Sequence, residues 1–314
     1  MTSIASSRFL SRLALVAGLA LAARASAADA LDQWTWFGPG DKASFKGDNY
    51  AGVYYNDDMG MVAVVGSGDK ILLRKDKDSA WAKMNAGTEH PLYGVTYANQ
   101  AFFAVGARGT LVTSKTGETW ESRDSTVTVP LFCIMYTPSV FVAVGDGGMI
   151  ITSRAGGEWT THPSTVITAL NSVAFGGRTF VAVGTGGTIL NSDNGSYWLQ
   201  QNSGTTSGLH GVAFGAGRFV VVGEDGVILT SSDGQNWTPR KSGADGTLYG
   251  VAYGHGIFVA VGSEGAILTS SDAINWQARA SGSKHSLHAV TFARDAFWVV
   301  GSNGAILRSG VLGE

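Results

Sequence analysis

Short apolar runs that end in Val-Gly recur along the chain at a nearly constant interval. Their terminal glycines are Gly66, Gly106, Gly145, Gly184, Gly223, Gly262 and Gly301. The first interval is 40 residues and the other five are 39 residues. A tryptophan repeats with the same 39-residue spacing, at Trp81, Trp120, Trp159, Trp198, Trp237 and Trp276. A fixed internal period of this length indicates a repeat architecture in which each copy is one supersecondary unit.

Within each copy, short apolar segments are separated by glycine-rich turns. In the fifth copy the pattern predicts four strands, a to d, at 209–214, 219–222, 227–230 and 237–241. The 3.6-residue periodicity of a helical repeat is not visible. Four short strands in about 40 residues are typical of one propeller blade. The sequence therefore predicts an all-β fold, a seven-bladed β-propeller with four antiparallel strands per blade.

The seventh copy ends after the segment 305–309, before its tryptophan, which would fall at position 315. The segment 33–37 near the N-terminus carries Trp34 and Trp36 and belongs to no copy. We expect this segment to be strand d of the last blade, with Trp36 or Trp34 in the role of the missing tryptophan. Such closure would leave no unpaired sheet edge between the first and last blades.

The first 27 residues have the pattern of a secretory signal peptide. Arg8 and Arg12 precede an apolar stretch at 13–22, and Ala25, Ser26 and Ala27 form a small-residue cleavage site. The apolar stretch is about half the length that a transmembrane helix needs. The alternative to a cleaved signal peptide is an uncleaved N-terminal anchor. We therefore expect a bacterial protein exported to the periplasm or the extracellular space, not integral to the membrane. Its propeller domain would cover residues 28–314.

Composition narrows the classes of partner. The 314 residues include 44 glycines, and the formal net charge is −2 with a pI of about 6.3. A chain without a net basic field is not expected to bind nucleic acid. Cys133 is the only cysteine, so no internal disulfide can form, and its apolar surroundings predict a buried, inert thiol. We expect a monomer.

The predicted turns between strands c and d contain Asp193-Asn194-Gly195 before Trp198, Asp233-Gly234 before Trp237, and Asp272 before Trp276. These segments resemble the Asp-box, or bacterial neuraminidase repeat, with the pattern Ser/Thr-x-Asp-x-Gly-x-x-Trp. Asp193 has the family spacing to its tryptophan, whereas Asp233 and Asp272 lie one place nearer. Asp76 fits the aspartate position of the first copy. The resemblance implies structural roles for these aspartates and for the six repeated tryptophans.

Proteins with this repeat include sialidases, other glycoside-active enzymes and lectins. They also include the photosystem II assembly and stability factor family, whose seven-copy layout is similar to residues 31–309. The resemblance implies a propeller that binds a protein partner. A sialidase of this kind is expected to have six blades and a Phe/Tyr-Arg-Ile-Pro motif. This chain lacks that motif.

The residue after the first leucine of strand a changes its chemistry from copy to copy, although the surrounding repeat is nearly constant. These residues are Tyr93, Phe132, Asn171, His210, Tyr249 and His288, with Ala51 expected as the seventh. Because strand a is innermost, they should line the mouth of the central channel. Arg108, in a turn between strands b and c, is predicted on the same face. A concave mouth with aromatic, amide and imidazole groups suits a small polar ligand, a glycan or a peptide.

Catalysis has weaker support. Glu224, Asp225, Asp245 and Glu264 come from neighbouring copies, and a glycosidase needs two carboxyl groups about 5 to 9.5 Å apart. These acids nevertheless lie in glycine-rich turns, where solvated side chains are usual. The six histidines do not have metal-ligand spacing, and no Gly-x-Ser-x-Gly motif occurs. We expect no metal and no cofactor, and the sequence favours a non-catalytic protein without excluding an enzyme.

Three functional hypotheses follow. The first is a non-catalytic exported propeller that binds a protein or peptide partner and assists assembly of a larger complex. The second is a carbohydrate-binding, lectin-like module, which should present nearly identical pockets between blades. The third is a polysaccharide-active hydrolase or lyase, which should bring acids or a tyrosine and a histidine together in one pocket.

Overall fold

Seven four-stranded antiparallel sheets follow one another along the chain, as the 39-residue period predicts. The computed structural model describes residues 30–38, 47–76 and 80–313. Within each sheet the strands are hydrogen-bonded in the order a, b, c, d. The seven-bladed propeller is thus confirmed, and the predicted signal peptide at 1–27 lies outside the described residues.

The strands a and b form the inner half of each blade. The a strands are β2 (Tyr50–Asn56), β6 (Leu92–Ala98), β10 (Leu131–Thr137), β14 (Leu170–Gly176), β18 (Leu209–Gly215), β22 (Leu248–Gly254) and β26 (Leu287–Ala293). The b strands are β3 (Met61–Gly66), β7 (Ala101–Gly106), β11 (Val140–Gly145), β15 (Thr179–Gly184), β19 (Arg218–Gly223), β23 (Ile257–Gly262) and β27 (Ala296–Gly301).

The strands c and d form the outer half. The c strands are β4 (Lys70–Lys75), β8 (Leu111–Ser114), β12 (Ile150–Ser153), β16 (Ile189–Ser192), β20 (Ile228–Ser231), β24 (Ile267–Ser270) and β28 (Ile306–Ser309). The d strands are β5 (Ala82–Asn85), β9 (Glu121–Arg123), β13 (Thr160–His162), β17 (Leu199–Gln201), β21 (Thr238–Arg240), β25 (Gln277–Arg279) and, for the last blade, β1 (Trp34–Trp36).

A short 3₁₀ turn joins strands b and c in blades two to seven. These turns are Ala107–Gly109, Asp146–Gly148, Thr185–Gly187, Glu224–Gly226, Ser263–Gly265 and Ser302–Gly304. In the fifth blade both Asp225 and Gly226 have positive φ, at 55° and 65°. Glycine is required at the second position because a Cβ on Gly226 would overlap the carbonyl oxygen of Ala244. The turn therefore packs directly against the connection from strand d to the next blade.

The hydrophobic core lies between adjacent sheets. One cluster, for example, combines Val181 and Val183 of the fourth blade with Leu209, Phe219 and Val221 of the fifth. Because each sheet buries both faces against its neighbours, the b strands are continuous apolar runs without alternation. The seam between the last and first blades has a core of the same kind, in which Trp298 and Val300 pack with Val62 and Val64. The ring is closed by packing at every blade.

The N-terminal strand β1 completes the last blade, as expected. Thr35 of β1 is paired with Arg308 of β28. In the third blade the equivalent pair is Thr160, the residue after the repeated tryptophan, opposite Thr152. Trp34 therefore occupies the repeat position, while Trp36 is 45% exposed. Of the two alternatives that the sequence left open, the structure selects Trp34.

No helix in the described residues is long and apolar enough to cross a membrane.

Candidate functional site

A β-bulge lies at the start of every a strand, and each bulge holds one of the residues that the sequence placed at the channel mouth. In β18 the pairing with β19 passes from Leu209 to Gly211, which leaves His210 without a partner in the ladder. The same register shift occurs in the other six a strands. We call the seven bulged residues the ring residues: Ala51, Tyr93, Phe132, Asn171, His210, Tyr249 and His288. A bulge redirects a side chain away from the sheet ladder.

The residue after each ring residue is small because neighbouring blades nearly touch there. A Cβ on Gly52 would lie 2.8 Å from the carbonyl oxygen of Tyr93, and one on Gly250 would lie 2.8 Å from that of His288. Only small residues fit at such a close backbone approach. The repeated Leu-x-small pattern thus marks the bulge, and the close approach of neighbouring blades at the small residue narrows the channel there.

All seven ring residues line one cavity of about 500 Å³ at the channel mouth, which we call the mouth cavity. Its wall is completed over the first blade by Asn49, Tyr50 and Ser67. This is the placement that the repeat alignment predicted. In the first blade Tyr50 replaces the leucine of the other six, and Ala51 is the smallest ring residue. The ring therefore has a gap on the side of the first blade.

The ring residues form two aromatic arcs. Tyr93 and Phe132 have ring centroids 5.6 Å apart. His210 and Tyr249 are 5.5 Å apart, and Tyr249 and His288 are 5.2 Å apart, with tilted planes. Asn171 separates the arcs.

The amide of Asn171 donates a hydrogen bond to the carbonyl oxygen of Leu209 at 2.8 Å, which ties the fourth blade to the bulge of the fifth.

Each histidine of the ring contacts the first residue of the b–c turn in its own blade. His288 Nε2 lies 2.8 Å from Ser302 Oγ, and His210 Nε2 lies 3.8 Å from a carboxylate oxygen of Glu224. Glu224 is held in place because it also accepts the backbone N–H of Gly208 at 2.7 Å. Burial lowers the pKa of both His210 and His288, and the charge of Glu224 offsets part of this effect at His210. Both imidazoles therefore favour the neutral form.

Arg108 was predicted with the ring but does not line the mouth cavity. It lies exposed at the tip of a b–c turn, where its φ of 54° places it in the left-handed region. The equivalent tips of the fifth and sixth blades carry Asp225 and Glu264, which are exposed as well, and Asp146 is exposed at the first position of its turn. The b–c turns thus form an acidic rim around a mouth cavity whose described lining residues are uncharged, while the connections from strand d to the next blade also carry Lys241 and Lys284.

Below the ring lies a narrower cavity of about 200 Å³, which Cys133 and Ser172 help to line. Burial raises the pKa of the Cys133 thiol. Cys133 is half-buried at the cavity wall, not fully buried as the sequence predicted, and the raised pKa disfavours the thiolate, which is the reactive form.

The c–d turns lie on the opposite face. In the fifth blade Asp233 accepts the backbone N–H groups of Gln235 and Asn236, both at 2.9 Å. Asp272 accepts those of Ile274 and Asn275, both at 2.8 Å. These two aspartates stabilise their turns, as the sequence predicted.

In the fourth blade the corresponding acceptor is Asn194, which receives the N–H groups of Ser196 and Tyr197. Asp193 is exposed and has no hydrogen bond within the described residues. The acceptor position is four residues before the tryptophan, and Asp193, at the family spacing, lies one place too early. Assigning the turn-stabilising role to Asp193 was therefore wrong.

Asp76 has a different environment. It accepts a hydrogen bond from the hydroxyl of Tyr55 at 2.9 Å and pairs with Arg294 of the last blade at 3.0 Å. Its contacts in the described residues join the first and last blades instead of bracing a turn.

The repeated tryptophans pack on phenylalanines of strand b in the same blade. Trp120 and Phe102, Trp159 and Phe141, Trp198 and Phe180, and Trp237 and Phe219 have centroids 6.0–6.4 Å apart. Each of these four indoles therefore reaches from the start of strand d to the side chain of strand b. Trp276 joins the core cluster between blades five and six, and Trp81 packs edge-on against Trp298.

Two further cavities, each of about 700 Å³, lie between blades on the channel side. One is lined by Asn202, Asp225, Arg240 and Lys241, and the other by Asp245, Glu264 and Arg279. They occupy equivalent positions in successive blades and share an acid and an arginine, but their remaining polar groups differ.

The four acids considered for glycosidase chemistry lie in three segments: Glu224 and Asp225 share one b–c turn, Asp245 lies in the next connection, and Glu264 lies in the following b–c turn. Glu224 and Asp225 are engaged locally, with Gly208 and with the hydroxyl of Ser207. Asp245 and Glu264 line the second interblade cavity. Among the described residues, no group of three or more His, Cys, Asp and Glu side chains is placed to hold a metal ion.

Comparison with known families and structures supports the fold. The family model of the DUF6242 beta propeller domain matches residues 32–169. The comparison with curated proteins gives no significant match.

Several solved structures match most of the chain. A structure of YCF48 bound to D1 peptide is 17% identical with a TM-score of 0.73, covering 88% of this chain and 95% of that one. YCF48 from Cyanidioschyzon merolae is 16% identical with a TM-score of 0.72, covering 88% and 98%. Virginiamycin B lyase from Staphylococcus aureus is 12% identical with a TM-score of 0.76, covering 89% and 99%. At these identities the likeness is one of fold, which a binding protein and an enzyme share.

Proposed function

We propose that this chain is a non-catalytic, exported propeller whose mouth cavity binds a peptide segment of a partner protein, in the service of assembling a larger complex. The observation that carries the proposal is the set of seven bulged ring residues around one cavity. No two neighbouring residues of the ring are identical, so the mouth is a single asymmetric site. A peptide presents different side chains in sequence, which can match the different ring residues.

The likeness to YCF48 supports this proposal. The structure of that protein matches this chain over 95% of its own length and has been solved with a peptide bound. The cavity of about 500 Å³ is within the range of sites that bind small molecules or a few peptide side chains. Aromatic residues such as Tyr93, Phe132 and Tyr249 are the residue type that is enriched where proteins bind one another.

The test is a pull-down from cell-envelope extract with three forms of the mature protein: wild type, Tyr249→Ala and Tyr197→Ala. Tyr197 is a matched control, since it is a 68% exposed tyrosine in a c–d turn on the opposite face. A partner captured by wild type and Tyr197→Ala but lost with Tyr249→Ala supports the proposal. Capture that is equal for all three forms, or strong binding of one glycan class on an array with no protein partner, contradicts it.

Carbohydrate binding is the second candidate, and the two interblade cavities favour it. They recur at equivalent positions with an acid and an arginine in each, which is the repetition expected of a lectin. Asp225 with Arg240 in the first cavity, and Glu264 in the second, would supply hydrogen bonds to sugar hydroxyls, whereas Arg279 already donates to Asp32 and Thr269. On a glycan array, loss of binding in Arg240→Ala but not in Tyr249→Ala would favour this function over peptide binding at the mouth.

A further inference from the structure

We propose that the mouth cavity accepts a cationic side chain of the bound peptide, an arginine or a lysine, between the aromatic rings and beneath the acidic rim. This inference rests on the proposed function, because it assigns the chemical class of the group that enters the mouth.

The first observation is the uncharged, aromatic lining. Of the described residues that line the mouth cavity, none is a lysine, arginine, aspartate or glutamate. Five of the seven ring residues have an aromatic side chain: Tyr93, Phe132, His210, Tyr249 and His288. Cations are attracted to the faces of aromatic rings, and more strongly where the contact is shielded from water. The histidines do not oppose a cation, because burial lowers the pKa of both and favours the neutral imidazole.

The second observation is the charge of the rim. Among the b–c turns, Asp69, Asp146, Glu224, Asp225 and Glu264 are acidic, and Arg108 is the basic residue. Glu224 lies next to the ring, with a carboxylate oxygen 3.8 Å from His210 Nε2, and its hydrogen bond with the N–H of Gly208 fixes its position. Acids around a low-dielectric opening attract cations and repel anions.

The same chemistry already occurs elsewhere in the molecule. At the closing blade the guanidinium of Arg74 lies 4.9 Å from the ring centre of Phe37 and 5.7 Å from that of Trp298. There the cation comes from the chain itself. At the mouth the rings and the acids are present, and the partner would bring the cation.

The probes are N-acetyl-arginine methylamide and N-acetyl-citrulline methylamide, which have nearly the same shape and differ by one charge. Binding is measured by NMR, from the ring resonances of His210 and His288 in the wild-type mature protein. We expect the arginine probe to shift both resonances and to bind about tenfold more tightly than the citrulline probe. The lysine analogue should bind more weakly than arginine, because a planar guanidinium stacks better on rings.

Variants locate the effect. Tyr249→Ala should weaken the arginine probe about tenfold, Tyr249→Phe should retain most of its binding, and Tyr197→Ala should not change it. Glu224→Gln should weaken the arginine probe a few-fold at low salt, whereas Glu158→Gln, an exposed acid on the opposite face, should not. Retention in Tyr249→Phe excludes misfolding as the cause of loss.

Equal binding of the arginine and citrulline probes, or arginine binding that leaves both histidine resonances unchanged, would overturn the inference. Partner peptides that depend on Tyr249 but tolerate replacement of arginine by citrulline would overturn it too, and would leave the proposed function intact. Partner binding that does not depend on Tyr249 would contradict the proposed function itself.

Discussion

Arg279 donates a hydrogen bond to the carboxylate of Asp32 at 2.8 Å, across 247 positions of the chain. Arg279 is the last residue of the sixth blade's outer strand, and Asp32 lies just before the N-terminal strand β1. The Arg279 side chain is 8% exposed, and its Nε also donates to the hydroxyl of Thr269 at 3.0 Å. The Asp32 side chain is 57% exposed. The pair therefore fixes the start of β1 against the sixth blade, and closure involves two blades.

Removing the closing segment should destabilise the propeller. A chain that starts at Gly38 lacks β1, leaves β28 as a free edge, and exposes the cluster that Ala30 and Leu31 cover. We expect the melting temperature to fall by about 10 °C, from the loss of several buried apolar side chains. The control is Asp32→Asn, which removes one half-exposed partner and should cost about 1 kcal/mol or less. A truncated chain with an unchanged melting temperature would refute the closure by β1.

The two tryptophans of β1 should respond differently to substitution. The indole N–H of Trp34 donates to the carbonyl oxygen of Leu31 at 2.8 Å, as Trp198 does to Gly195 at 2.9 Å. Trp34→Ala removes this bond and the packing on its cluster, so we expect a loss of about 2–4 kcal/mol. Trp36→Ala, at a position 45% exposed, should cost less than about 1 kcal/mol. Chemical denaturation measures both, and equal losses would contradict the assignment.

The repeat could be read from the sequence because seven copies reinforce one pattern, and the ring residues followed from their place after the first leucine of strand a. The sequence could not show which of two neighbouring residues occupies a given position in a strand pair or a turn. Trp34 and Trp36 are chemically alike, and only pairing with β28 distinguishes them. Asp193 fitted a family spacing, but the turn geometry uses Asn194. Arg108 shares the face of the ring, yet the tip of its turn keeps it out of the mouth cavity.

The c–d turns provide a matched set of substitutions. Hydrogen bonds from backbone N–H groups, that of Asn236 foremost, hold the pKa of Asp233 well below its usual range, and Asn275 contributes most at Asp272. Asp233→Ala and Asn194→Ala should each cost about 1 kcal/mol, as loss of a helix cap does. Asp193→Ala should stay within about 0.5 kcal/mol. The measurement is urea denaturation at pH 7, and a large effect at Asp193 would show that its carboxylate has a structural role after all.

The lowered pKa values of Asp233 and Asp272 also determine whether the folded protein gains or loses stability in acid. The stabilisation is present above the ordinary pKa of about 3.9, since the folded protein then holds fewer protons than the unfolded chain. It is lost as the pH falls below that value. The double variant of Asp233 and Asp272 to Asn should therefore lose less stability between pH 5 and pH 3 than the wild type.

The export that we propose would depend on residues 1–27, which lie outside the described part of the chain. Expression of the full sequence in a bacterium with a general secretory system should give a mature protein that begins at Ala28, because Ala25-Ser26-Ala27 supplies the small residues at the cleavage site. Mass spectrometry of the periplasmic fraction measures the N-terminus. A protein that keeps residues 1–27 and stays with the membrane fraction would instead favour an uncleaved anchor.

The two ring histidines should titrate below the ordinary value of 6.5, and one substitution should separate them. Burial lowers the pKa of both, but the charge of Glu224 raises that of His210 alone. Glu224→Gln should therefore lower the pKa of His210 further and leave that of His288, next to Ser302, unchanged. In the folded protein both imidazoles resist protonation, so the unfolded chain binds more protons as the pH falls through 6.5, and stability decreases in that window. NMR titration of the ring protons measures the pKa values, and thermal melts from pH 7.5 to 5 measure the stability. A rise in the pKa of His210 in Glu224→Gln would show that the carboxylate does not face the imidazole in solution.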